Sequence, residues 1–174
     1  MRNLLIALCI LFICTACPYE SPVPISKRGD VFLEELVGKW QRQDENQNYY
    51  IVDALDKKTY KIVENAYNEE SDSYDVSLYQ GHINKINDSY FFNVTQYNPN
   101  EVSAASDEIM ITAQPSYYLY KIAINKDGSF IMHPLSNYIK EEFERSKDLE
   151  KFVTKHMHLS FFYGEPEGFV RLNE

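Results

Sequence analysis

From Gly38 onward the chain keeps returning to one pattern, in which apolar and polar side chains alternate over a short segment that ends in a polar turn. A period of two is the signature of a strand with one buried face. Tyr60 and Ile62 share a face of the segment 59–65, and Tyr74, Val76 and Leu78 alternate against Asp75 and Ser77 in the segment 73–85. The same pattern predicts strands at 38–43, 49–55, 90–97, 117–125 and 129–134. Asp56-Lys57-Lys58, Asn87-Asp88-Ser89 and Lys126-Asp127-Gly128 supply turns between them. Strands joined by connections this short pair with their sequence neighbours as an antiparallel meander. An open meander of eight or nine strands exposes two unpaired edges, and closing into a barrel removes both. The expected fold class is therefore mainly β with minor α.

Helical spacing is found at the two ends of this run. Asp30 can cap a short helix over 31–37, with Phe32 beside Leu36, Leu33 beside Val37, and Gly38 to end it. After the strands, Leu135, Ile139 and Phe143 recur every four residues. A second stripe of Leu149, Phe152, Val153 and Met157 follows a break near Ser146. A helical pair is thus expected before the last segment, LSFFYGEPEGFVRL, which reads as a hairpin with its tip at 165–168.

The three cysteines, Cys9, Cys14 and Cys17, all lie in a leader. Arg2 precedes an apolar run over 4–13, too short to cross a bilayer, which takes about 20 residues. A charged start, a short apolar middle and small residues after it mark a secretory signal. Its end, Cys14-Thr15-Ala16-Cys17, resembles the lipobox of bacterial lipoproteins, although Cys14 stands where that family usually has leucine. The resemblance implies cleavage after Ala16, leaving residues 1–16 as signal peptide, and lipidation of Cys17. Modification at Cys14 or Cys9 would put Ile13 or Leu8 at a cleavage position that needs a small residue. Several acyl chains give stable anchoring without a span, so the expected location is the cell envelope, at the outer membrane or cell surface rather than the inner membrane. Residues 17–30 hold Pro18, Pro22 and Pro24 and are read as an extended tether of up to ~40 Å. Residues 31–174 then form one β-barrel-like domain.

At Gly38-Lys39-Trp40 the chain resembles the start of a lipocalin-type barrel, where a Gly-x-Trp enters the first strand. In that family the Trp plugs the closed end beneath an arginine from near the last strand. The resemblance therefore pairs Trp40, the sole tryptophan, with Arg171 in a cation–π contact of roughly 0.5–2 kcal/mol. Two helices before the last hairpin depart from that family, which has one main late helix. The region 117–153 also resembles small bacterial proteins of uncharacterised function.

No catalytic grouping emerges. Of the four histidines, His82 and His133 read as ordinary strand residues, and His156-x-His158 would splay apart on a helix without a third ligand. The acidic pairs Glu34-Glu35, Glu69-Glu70 and Glu141-Glu142 read as solvated faces, and the stretch 69–75 lacks the order of a calcium loop. No cofactor or metal is expected. Acidic side chains outnumber basic ones 26 to 17, which argues against nucleic acid. Two features remain. Fourteen tyrosines, mostly on predicted strands, suit a pocket or contact surface, and the patternless interval 98–116 reads as a lid or insertion. The expected function is a membrane-anchored, non-catalytic barrel that binds a small hydrophobic or amphipathic ligand or an envelope protein. The alternative is a structural or interaction lipoprotein with a filled interior, and an enzyme ranks behind both.

Overall fold

The alternating segments pair in the order of the chain. The computed structural model describes residues 18–97 and 116–172. The leader, Cys17 and nearly all of the interval 98–116 lie outside the described residues. The strands are β1 (Glu20–Ser21), β2 (Gly38–Arg42), β3 (Tyr49–Ala54), β4 (Thr59–Asn68), β5 (Ser73–Ile86), β6 (Ser89–Gln96), β7 (Tyr117–Ile124), β8 (Phe130–Pro134) and β9 (Glu167–Arg171). From β2 to β9 each strand pairs antiparallel with the next, and β9 returns to β2 with Trp40 opposite Arg171. The result is a closed eight-stranded barrel. β1 adds a ninth strand by pairing with the start of β7.

Alternation divides the aromatic residues between two cores. Trp40, Val52, Tyr60, Ile62, Ile83, Phe92, Val94, Ile122, Phe130 and Phe169 point into the barrel. The opposite phase of β6 and β7 puts Phe91 and Leu119 outside, where Leu149 and Val153 of helix α1 (Ser146–His156) cover them. One end of the barrel is plugged. Phe32 stacks on Tyr60 at 4.5 Å, and the Leu33 amide donates to the Tyr60 hydroxyl oxygen at 2.6 Å. The other end carries the β2–β3 and β4–β5 turns and the chain between β8 and β9.

Four expectations need correction. The segment 17–30 is not an extended tether over its described part. Tyr19 and Ile25 bury in the outer core, and the Ile25 amide donates to Asn93 Oδ1 at 2.7 Å. Asn84 donates to Arg28 O at 2.9 Å, and His82 Nε2 donates to Ser26 O at 2.6 Å. Burial pushes the His82 pKa down, against that hydrogen bond and the charge of Asp30. The domain thus includes this strap, whose few apolar side chains suffice because the outer faces of β5 and β6 supply polar partners for its backbone.

The helix over 31–37 is only a 3-10 turn at Glu34–Leu36. The β4–β5 ladder ends at Thr59 opposite His82, which leaves the Ile83 carbonyl to accept from Asp30 and Val31 and draw them into the sheet. The helical pair is one helix, α1. Leu135 instead donates to Leu119 O and bridges Tyr163, although Ile139 and Phe143 still pack on the outer core. The final hairpin is absent as well. Ser160–Phe162 form a 3-10 turn with Phe162 buried, while β9 finds partners in β2 and β8.

Candidate functional site

The interior of the barrel is incompletely filled. A cavity of about 300 Å3 lies between the Trp40 layer and the end opposite the Phe32–Tyr60 plug. Trp40, Val52, Ile62, Phe92, Phe130 and Phe169 make an apolar floor, with Trp40 edge-on to Phe130 at 4.6 Å. Toward the mouth the same inward phase places Arg42 two residues beyond Trp40 on β2. It also places Glu64 two beyond Ile62 on β4, and Glu167 two before Phe169 on β9. Tyr50, Tyr79, Tyr118 and Tyr120 complete the polar rim, and Pro18 also borders the space.

The rim has a definite hydrogen-bond order. Tyr50 and Tyr79 each donate to Glu64, both at 3.1 Å. Arg42 turns to the β2–β3 turn, where it pairs with Asp44 at 3.1 Å and Glu45 at 3.2 Å. Glu167 makes no ion pair or hydrogen bond among the described residues. Burial pushes its carboxyl pKa up, opposed by the field of Arg42 and reinforced by Asp44 and Glu45. Burial likewise raises the Tyr120 hydroxyl, with Glu167 adding to it, and raises Tyr50 with Glu64 adding to it. The site is thus an apolar well under a ring of acceptors and phenols. Among the described residues no group of three or more His, Cys, Asp and Glu could hold a metal ion.

Trp40 and Arg171 are brought together. The guanidinium carbon sits 4.5 Å from the ring centroid, and its nitrogens donate to Val37 O at 2.9 Å and Glu35 O at 2.7 Å. Trp40 is fully buried and donates to Leu36 O at 2.8 Å. This pair closes the floor rather than the mouth. The other sequence candidates do not converge. His156 lies against Phe152 and donates to Phe152 O, His158 is exposed, and His133 faces out beside Tyr163. The stretch 69–75 is the tip of the β4–β5 hairpin, where Asp72 accepts from Tyr67 and Asp75 from Asn68.

Sequence reasoning passed over Arg42, Glu64 and Glu167. A signal existed, because each is two positions from a core residue in the same strand and shares its phase. No helix among the described residues is long and apolar enough to cross a membrane. Comparison with protein-family models, with curated proteins and with solved structures finds no match to this chain.

Proposed function

We propose that this chain is a membrane-anchored bacterial lipoprotein whose lipocalin-like barrel binds a small amphipathic ligand and performs no chemistry on it. The observation that carries this reading is the cavity of about 300 Å3 with an apolar floor and a polar rim. Its volume sits at the small end of ligand pockets, which run roughly 300–1,000 Å3. An interior left open at this size weighs against a purely structural barrel, which would fill it with side chains. The lipocalin likeness is supported by the Trp40–Arg171 lid beneath an eight-stranded meander. Native mass spectrometry of the full chain is expected to retain a small-molecule adduct, and a clean apo mass would count against a carrier role.

Anchoring rests on the lipobox-like sequence ending at Cys17. Pro18, the next residue, borders the cavity, so acylation of Cys17 would set the mouth beside the bilayer and give a membrane-derived ligand a short route in. Metabolic labelling with a fatty-acid probe is expected to mark the wild-type chain and to vanish in Cys17→Ala. Label that persists in the variant would refute this anchor.

A further inference from the structure

We propose that the ligand's head group is an organic cation, an amine or substituted ammonium carried on an apolar body. This deepens the reading of the barrel interior as a binding site and rests on it. The first argument is charge. Among the described residues, Glu64 and Glu167 line the space beside one guanidinium, Arg42, which is itself paired with Asp44 and Glu45 of the β2–β3 turn. Arg42 is already engaged by Asp44 and Glu45 and lies in the field of Glu167, so an anionic head would face two carboxylates and no uncommitted cation among the described residues.

The second argument is what the rim leaves unsatisfied. Glu167 sits in the wall with no ion pair or hydrogen bond among the described residues, and Tyr120 beside it makes no hydrogen bond there either. A carboxylate partly removed from water and hydrogen-bonded to nothing around it is costly, and a cation within reach reverses that cost. Burial is the main cause of the upward push on its carboxyl, and the field of Arg42 only opposes it in part. Glu64 differs, being pre-oriented by hydrogen bonds from Tyr50 and Tyr79.

The third argument is the rings. Tyr50, Tyr79 and Tyr120 border the same space as both carboxylates, and phenol faces attract ammonium groups strongly when water is excluded. A metal ion would not use the apolar floor, whereas an amine on a hydrocarbon or aryl body uses floor and rim together.

The test holds the apolar body constant and varies the head. Isothermal titration of the full chain with 4-phenylbutylamine, 4-phenylbutanol and 4-phenylbutyrate near neutral pH is expected to rank amine over alcohol by roughly tenfold, as a charged hydrogen bond requires. The carboxylate is expected to bind weakest. Glu167→Gln should remove most of the amine's advantage over the alcohol, and a wild-type urea unfolding curve followed by Trp40 fluorescence shows that the variant is folded. Equal or tighter binding of alcohol or carboxylate would overturn the cation proposal and leave the pocket reading intact. Failure of all three to bind would overturn both.

Discussion

Gly38→Ala is expected to cost about 4 kcal/mol of folding free energy, against about 1 kcal/mol for Gly128→Ala. Both glycines have positive φ, +147° and +84°, so each substitution meets backbone strain of roughly 1–3 kcal/mol. They differ in what a methyl group would touch. At Gly128 nothing lies within 4 Å of the added carbon. At Gly38 the carbon would collide with Nη1 of Arg171. The guanidinium must then leave its seat, losing hydrogen bonds to Val37 O and Glu35 O, worth roughly 1 kcal/mol each, and the Trp40 ring contact. Urea denaturation monitored by Trp40 fluorescence measures the difference. The same logic makes Gly38→Ala and Arg171→Ala less than additive, because the second change removes the side chain that the first displaces. Equal costs at the two glycines, or strict additivity of that pair, would show that Arg171 does not close the barrel floor.

The strands were legible because the barrel buries one phase of each and leaves the other to a different environment. In β4, Tyr60 and Ile62 lie inside while Lys61 and Val63 lie outside, and that phase is written in the residues themselves. The spacing of Leu135, Ile139 and Phe143 was read correctly as one buried side and wrongly as a helix. Leu135 is held by the start of β7, and the later two reach the outer core from irregular chain. Equally, Ser160–Phe162 has strand-like composition, but its partner is the hydrophobic face of α1, and no ladder is left for it once β9 has closed the barrel.

The strap escaped notice because Tyr19 and Ile25 are isolated among polar residues and prolines, and what fastens their backbone, Leu135 O and Asn93 of β6, lies far along the chain. The site escaped for a different reason. A charged residue in the buried phase looks like any surface charge until closure shows that Glu64, Glu167 and Arg42 share one enclosed space. Volume is a property of the closed barrel and has no local trace.

Asn93→Leu is expected to cost about 4 kcal/mol and to release the strap before the barrel melts. Asn93 is fully buried on the outer face of β6 and joins three pieces of chain. Its Oδ1 accepts from the Ile25 amide at 2.7 Å, and its amide donates to Asn84 Oδ1 at 2.9 Å and to His82 O at 3.2 Å. Leucine keeps the branching at Cγ, is larger, and leaves the Ile25 N–H and the Asn84 side-chain carbonyl without partners, at roughly 1–3 kcal/mol for each buried orphan. Asn84 in turn orients its own amide toward Arg28 O, so the loss propagates along the strap. Hydrogen exchange reads the order of events. Amides of Tyr19, Ile25 and Asp30, which donate to Leu135 O, Asn93 and Ile83 O, should open together at much lower free energy than amides of β4 and β5. A variant within 1 kcal/mol of wild type, or one that keeps Tyr19 and Asp30 protected, would show that the strap is held by Tyr19 and Ile25 packing alone. The consequence reaches the proposed anchor. A released strap becomes an extended segment of up to ~40 Å, and the mouth bordered by Pro18 would no longer be held near a lipid attached one residue earlier.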